Sequence, residues 1–247
     1  MLDKTITQKK DPFQVLSGNG LKAIAVISMV IDHTAVVFLE NNILKSASSP
    51  NLMMWWRADW VMRYIGRLAF PIFCYLIVEG FLHTRDIKRY AKRLFLFALL
   101  SELPFDLAIF GTWFYPGRQN VFFTLLLGLL AMAGIQRCQE EKRDWEQLLV
   151  VGACCGCAGL IKSDYDVFGV FFIVLLYSSR SRVVLQTLAG AIALMWEVTA
   201  PLAFVPIRMY NGTRGRHSWK WFFYVCYPAH LALLAFLAFL LEREGVL

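Results

Sequence analysis

Residues 21–40 read LKAIAVISMVIDHTAVVFLE, and this stretch decides the fold class. An α-helix of this length rises about 30 Å, which matches the hydrocarbon core of a bilayer. The stretch is almost wholly apolar, yet it carries Lys22 near its beginning and the pair Asp32-His33 in its second half. In lipid, a single segment satisfies its backbone polar groups only as a helix. Residues 21–40 therefore predict a transmembrane helix with ionisable side chains inside the membrane.

The whole chain has the composition of a membrane protein. Of its 247 residues, 58% are hydrophobic and 17% are charged, whereas a soluble domain has about 25% charged residues. The net charge of +7 does not indicate a nucleic-acid partner, because the basic residues lie mostly in short connections between apolar runs, where membrane topology places them. We expect one integral membrane domain over residues 1–247, surrounded by lipid.

Apolar runs long enough to cross a bilayer predict about eight transmembrane helices. The predicted spans are residues 21–40, 60–82, 90–110, 121–137, 147–161, 166–178, 183–206 and 219–241. If the N-terminus is inside, the inner segments carry fourteen Lys and Arg residues and the outer segments carry eight. Lys and Arg favour the cytoplasmic side. The prediction is an all-α, polytopic helix bundle in the cell (inner) membrane, with both termini inside.

One predicted outer loop goes against this charge bias. Four of the eight outer basic residues fall in residues 207–220. The loop is expected either to bind an anionic group or to anchor at lipid headgroups. Within it, Tyr210-Asn211-Gly212 predicts a turn, and together with Arg214 it is a candidate lid over an outer cavity.

Several ionisable or polar residues are expected at one depth of the membrane. Counting helical rise from the predicted outer boundary places His33 and Arg67 about 10 Å deep, with Glu102 and Asp106 at about 12 and 6 Å. Asn120 opens the next span at the same level. Charges inside a membrane are costly and usually functional. The alternative is a buried ion network that only fixes helix packing.

One face of the first helix presents a cation and an imidazole. Lys22, Val26, Met29 and His33 follow the spacing of a single helix face. His33 lies about 16 Å further along the axis than Lys22. This geometry suits a long, thin substrate whose anionic head meets the cation and whose reactive end meets the imidazole.

Short motifs in order along the chain resemble the TraX family of conjugal-transfer membrane proteins. They are Leu21-Lys22 to Asp32-His33, Gly66-Arg67-Leu68-Ala69-Phe70-Pro71-Ile72-Phe73, Val78-Glu79-Gly80-Phe81, His83-Thr84-Arg85, Arg93-Leu94, Ser101-Glu102-Leu103-Pro104-Phe105, Asn120-Val121, Thr124-Leu125, Tyr210-Asn211-Gly212 and Tyr227-Pro228 with His230-Leu231. The family is associated with acetylation of the pilin N-terminus. It is similar to the wider group of membrane acyltransferases, which move an acyl group from cytosolic acyl-CoA to an extracytoplasmic acceptor.

The resemblance implies a CoA site on the inner side. The wider group carries a basic residue, ten intervening residues and a His in its first helix, and Lys22 and His33 match that spacing. Lys stands in place of the usual Arg, which keeps the charge but lacks the planar fork that binds phosphate in a bidentate manner. Arg63 and Arg67 are spaced one residue wider than the Arg-x-x-Arg pair of that group. The candidate contacts for acetyl-CoA are Lys22, Arg63, Arg85, Arg89 and Arg93.

The expected reaction is acetyl transfer with His33 as general base. A carboxylate of Asp32, Glu102 or Asp106 would orient the imidazole. Arg67 or Asn120 would stabilise the developing oxyanion. The candidate contacts for the acceptor are Tyr210, Asn211, Arg214 and His230. No metal is expected, and both direct transfer and an acetyl-His intermediate remain open.

Two other functions are compatible with the same residues. Intramembrane His, Asp and Glu also mark proton-coupled transporters, although the chain shows no clear internal repeat. The second is a non-catalytic assembly factor that holds a secreted peptide or pilin at the membrane. The acceptor is left open between a pilin or peptide amine and a glycan hydroxyl, and the acyl chain and the oligomeric state are also open.

Overall fold

The structure is a computed structural model that describes residues 12–45, 51–215 and 220–244. Its regular elements are ten α-helices: α1 (Gly18–Thr34), α2 (Leu52–Gly66), α3 (Ala69–Leu82), α4 (Ile87–Phe110), α5 (Val121–Glu140), α6 (Glu146–Ile161), α7 (Asp166–Ser178), α8 (Val183–Ala193), α9 (Phe204–Arg208) and α10 (Lys220–Arg243). Within the described ranges, extended pairing is limited to isolated bridges such as Leu16–Tyr210. The all-α prediction is confirmed.

In the described part of the chain, four helical segments are long and apolar enough to cross a membrane. They are Gly18–Lys45, Leu52–Leu82, Val121–Glu140 and Trp221–Arg243. The first six predicted spans coincide with α1 and its continuation to Glu40, the α2–α3 pair, and helices α4 to α7. The second span is broken at Arg67-Leu68, between α2 and α3. These helices pack around a single buried apolar core.

The two ends of the bundle are identified by contacts between connections. At the proximal end, where α1 begins, the Leu16 amide donates to the Met209 carbonyl at 2.8 Å and the Gly18 amide donates to the Thr213 carbonyl at 2.7 Å. At the distal end, the Asn41 side-chain amide donates to the Ile109 carbonyl at 2.9 Å. These contacts place residues 209–213 beside the start of α1.

The predicted span 183–206 is wrong as a single crossing. Helix α8 ends at Ala193, and the chain turns so that Trp196 packs edge-on against Phe168 at the start of α7. It then returns through a short 3₁₀ helix and α9 to the proximal end. Pro201 and Pro206 occupy this return, and proline lacks a backbone N–H donor and disfavours the interior of a regular helix. The segment is a hairpin that begins and ends at the same side of the bundle.

The hairpin reverses the predicted direction of the last helix. Lys22 Nζ lies 5.4 Å from the Phe223 ring centroid, and further along both helices His33 contacts His230. Helix α10 therefore runs parallel to α1 and ends at the distal end. The prediction that both termini lie on one side is corrected. The prediction of an outer 207–220 loop is corrected too, since Tyr210–Arg214 lie at the proximal end, and residues 216–219 of that loop are outside the described residues.

This correction also removes the exception in the charge pattern. Arg208 and Arg214 now share an end of the bundle with the basic α3–α4 connection. If that end is the cytoplasmic one, both residues follow the bias of Lys and Arg toward the inside.

Candidate functional site

A cavity of about 670 Å³ begins among the connections of the proximal end and extends between α1, α3, α4, α5 and α10. Gly18, Asp86 and Gly212 line its proximal part, and Met29, Val121 and Tyr227 line it deeper in the bundle. Its volume is in the usual range for small-molecule sites, about 300–1,000 Å³.

Cations line the proximal part of this cavity. They are Lys22, Arg85, Arg89, Arg93 and Arg214. Four of these five are predicted CoA contacts, and the tertiary structure brings those four together. The acidic side chains in the same lining are Glu79 and Asp86. The surplus of cations suits a ligand with several negative charges.

Tyr210 and Arg214 line this proximal cavity, so the predicted outer lid is corrected. Burial raises the pKa of the Tyr210 phenol, and the nearby Glu79 raises it further. The hydroxyl therefore stays protonated and can donate to a phosphate oxygen. Asn211 shapes the turn, because its Oδ1 accepts from the Thr213 amide at 3.0 Å and from the Thr213 hydroxyl at 2.6 Å.

His33 forms a pair with His230. The two rings stack with centroids 5.0 Å apart, and His33 Nδ1 lies 2.7 Å from His230 Nε2. His230 Nδ1 lies 2.8 Å from the Cys226 carbonyl oxygen. The predicted carboxylate partner of His33 is therefore corrected, since the group that contacts its Nδ1 is a second imidazole.

The hydrogen-bond chain assigns the tautomers of both rings. A carbonyl oxygen only accepts, so His230 Nδ1 carries the proton and donates to Cys226. In neutral His230, Nε2 then holds the lone pair and accepts from His33 Nδ1. His33 Nε2 is left without a proton. This is the atom that a general base or a nucleophile requires.

Asp32 belongs to a different cluster at the distal side. Its carboxylate accepts from Arg63 at 2.5 Å, and Arg63 also pairs with Glu40 at 3.0 Å. Gly66 lies so close to the Asp32 carboxylate that a Cβ there would overlap it. Two predictions are corrected by this cluster, because Asp32 does not orient His33 and Arg63 is absent from the lining of the proximal cavity.

The other predicted catalytic residues also lie away from His33. Arg67 pairs with Glu197 at 3.3 Å. Asn120 caps α5 through the Phe122 amide at 3.1 Å and donates to the Ala98 carbonyl at 2.8 Å. The Asn120 amide also donates to Glu102.

Asp106 accepts from the Tyr115 backbone amide at 2.9 Å, beyond the end of α4. No contact joins Arg67, Glu102 or Asp106 to His33 within the described ranges. The ionisable and polar residues that were expected in a single layer thus lie in several separate networks.

Tyr227 was named only within a family motif and was given no role from the sequence. It is 4% exposed, lines the deep part of the cavity, and sets its ring edge-on to both imidazoles, with centroids 5.9 Å from His33 and 5.7 Å from His230. It precedes His230 by one helical turn, and residues at this spacing share a helix face. That spacing is the signal that could have found it.

Asp59 is a residue that the sequence did not single out. It is 4% exposed and interacts electrostatically with Glu40, Arg63 and Asp32. Around Arg63 and Arg67 the structure thus gathers the carboxyl groups of Asp32, Glu40, Asp59 and Glu197. We call these six residues the distal cluster, and its carboxyl groups outnumber its guanidinium groups.

Comparison with known proteins agrees with the motifs. The family model described as TraX protein matches residues 17–238. The chain belongs to the TraX family. It is also 27% identical over 243 residues to the probable fimbrial assembly protein FimC, serogroup H1, of Dichelobacter nodosus, covering 87% of this chain and 92% of that protein. No solved structure matches.

The family and the apolar helices together identify a multi-pass membrane protein.

Proposed function

We propose that this TraX-family protein transfers an acetyl group from acetyl-CoA to an acceptor amine on the opposite side of the cell (inner) membrane. The observation that carries the proposal is a single cavity with a cationic proximal part and, at depth, Tyr227, whose ring contacts the His33–His230 pair. In this proposal the proximal end faces the cytoplasm, where acetyl-CoA is available.

The proximal part of the cavity supplies what the phosphates of CoA need. The cavity is lined by Lys22, Arg89 and Arg93. Cations of this kind bind phosphate oxygens through charge-assisted hydrogen bonds. The deeper lining includes Phe122, Leu125 and Tyr227, which suits the pantetheine arm. The ligand would lie along the α1 face that carries Lys22 and Met29 and deliver its thioester near His33.

The chemistry requires one base and one proton path. The acceptor amine attacks the thioester carbonyl carbon, and His33 Nε2 takes the proton that the amine loses. When the carbon–sulfur bond breaks, the leaving thiolate of CoA takes that proton from His33. His230 positions His33 through the 2.7 Å contact, so that Nε2 remains the basic atom.

The distal cluster favours an amine over a glycan hydroxyl as acceptor. Its excess of carboxyl groups, with the buried Asp59 among them, would attract an ammonium and not a neutral sugar. The ammonium releases one proton to water before the neutral amine attacks. A relative named as a fimbrial assembly protein makes the N-terminus of a pilin subunit the acceptor that we propose.

Acetyl transfer and CoA binding test the proposal directly. Protein in nanodiscs would be given acetyl-CoA and a synthetic peptide with a free N-terminal amine, with a blocked peptide as control, and the product followed by mass spectrometry. We expect acetylation of the free peptide alone. His33→Ala should abolish it while CoA binding persists. Lys22→Ala should weaken CoA binding, and Lys162→Ala, in the α6–α7 connection, should not.

Two results would replace the proposal. Movement of a solute across sealed vesicles without any acyl donor would identify a transporter. Normal pilus assembly in cells that carry His33→Ala, with no CoA binding by the purified protein, would identify a non-catalytic assembly factor.

A further inference from the structure

We propose that the Tyr227 hydroxyl donates the hydrogen bond that stabilises the oxyanion formed at the thioester carbonyl. This role extends the acetyl transfer proposed above and rests on it. Tyr227 would be a catalytic residue, since its hydroxyl would touch the reacting carbonyl oxygen.

Tyr227 lies between the cavity and the His33–His230 pair. The residue lines the deep part of the cavity, and its ring stands edge-on to His33 and His230 at 5.9 and 5.7 Å between centroids. Phe122 holds the ring in place from another side, T-shaped, at 5.2 Å. A thioester that reaches His33 from the cavity must therefore pass beside Tyr227.

The Tyr227 hydroxyl is buried and donates to no acceptor. The side chain is only 4% exposed, the Val121 backbone amide approaches the hydroxyl oxygen as a donor, and no acceptor for the hydroxyl proton lies among the described residues. Buried hydroxyl groups are normally satisfied, because losing water without gaining a partner is unfavourable. An unsatisfied donor in the wall of a cavity indicates that a ligand supplies the acceptor.

The donors predicted from the sequence for this role are already engaged. Arg67 pairs with Glu197, and Asn120 gives its amide to the Ala98 carbonyl and to Glu102. Val121, the first residue of α5, lies in the same cavity lining as Tyr227. The positive end of the α5 dipole therefore adds to the stabilisation of a negative oxygen there.

The step in which Tyr227 acts is the attack on the thioester. The amine nitrogen bonds to the carbonyl carbon, the carbonyl oxygen takes the electron pair of the opening double bond, and His33 Nε2 receives the amine proton. Tyr227 donates a hydrogen bond to that oxygen and keeps its own proton. When the double bond re-forms, the CoA thiolate leaves with the proton from His33. No oxidant, metal or further reactant is needed.

Tyr227→Phe removes the hydroxyl and keeps the ring packing. We expect kcat for acetylation of the free-amine peptide to fall about 100-fold, the usual effect of removing one oxyanion donor. KM for acetyl-CoA and the Kd of CoA should stay within about twofold, because the bond forms only in the transition state. The thermal midpoint should change little, because the hydroxyl donates no hydrogen bond inside the described part of the protein.

Tyr177→Phe is the matched control, because Tyr177 is a buried tyrosine, 2% exposed, that does not line the cavity. It should leave kcat unchanged. If wild-type protein is active and Tyr227→Phe keeps its kcat, or loses CoA affinity in proportion, the role of Tyr227 is overturned while acetyl transfer stands. If wild-type protein transfers no acetyl group, the proposed function fails and this inference fails with it.

Discussion

Arginines occupy two regions of this protein, and the difference between them separates ligand binding from helix packing. In the distal cluster, Arg63 and Arg67 are 21% and 30% exposed, and each pairs with at least one carboxylate. At the proximal cavity, Arg89 is 76% exposed and its ion pair with Asp86, at 3.4 Å, lies at the surface, while Arg93 Nε has no hydrogen-bond partner among the described residues. The same side chain thus neutralises internal charge in one region and presents charge to a cavity in the other.

The largest expected effect comes from breaking the Arg63–Asp32 pair. Arg63→Met leaves Asp32 and Glu40 without their cation, and losing one partner of a buried pair costs about 3–5 kcal/mol. Because Arg63 is partly exposed, we expect the lower end of that range, about 3 kcal/mol. Thermal unfolding in detergent checks it, with Arg89→Met as the matched control. Equal thermal stability of the two variants would contradict the view that the distal arginines stabilise the fold and the proximal arginines do not.

A second prediction concerns the imidazole pair, which lies between the two regions. His230→Leu removes the acceptor that fixes the His33 tautomer, so we expect kcat to fall about 100-fold, within the range of general-base effects. His230→Gln offers an amide oxygen to His33 Nδ1, so its kcat should be at least tenfold higher than that of His230→Leu.

The pH profile tests the positioning role of His230, because a free His33 ring would be basic at either nitrogen. His230→Leu should shift the acidic limb of the kcat profile, and His230→Gln should restore it. An unchanged profile in both variants would show that His230 only packs.

The third prediction concerns the affinity of the proximal cavity for CoA. Arg93→Ala should raise the Kd of CoA about tenfold, equivalent to about 1.4 kcal/mol. The affinity of the wild type should fall with salt, because exposed charges are screened. Titration of CoA at two ionic strengths checks both effects. Arg67→Ala is the comparison, and its Kd should not change, since Arg67 does not line the cavity.

The smallest effect is expected at an exposed ion pair far from both regions. Arg137 and Arg143 hold the pKa of the Glu141 carboxyl below its ordinary value of 4.5. A lowered folded-state pKa stabilises the protein above the unfolded pKa and loses this contribution as pH falls through the folded value. Glu141→Gln should leave the thermal midpoint at pH 7 almost unchanged, since exposed pairs contribute little. A large drop would mean that the α5–α6 connection is essential for packing.

The local structure was largely predictable from the residues. Apolar runs predicted seven of the eight spans, including 219–241, which matches α10, because a bilayer requires helices of set length. The grouping of Lys22 with Arg85, Arg89 and Arg93 followed from their place near one boundary of the membrane. The spacing to Lys22 singled out His33. Met29, between them, lines the cavity with Lys22, whereas His33 is not in that lining, and its catalytic role stays a prediction. These inferences needed only helix geometry and the cost of charge in lipid.

The pairing of side chains required the tertiary structure. The position of a residue along its helix predicts its depth in the membrane but not which side chains it contacts. By depth alone, Asp32, Glu102 and Asp106 were equally good candidates for the partner of His33. The helix rotations and the parallel direction of α10 bring His230 to it instead. The hairpin of residues 183–208 reverses α10, and nothing local in the α10 sequence encodes that reversal. By itself the sequence determined an all-helical membrane protein with charges inside, because those features depend on each segment alone. Only the packing of distant segments decided which charges meet and which face the cavity.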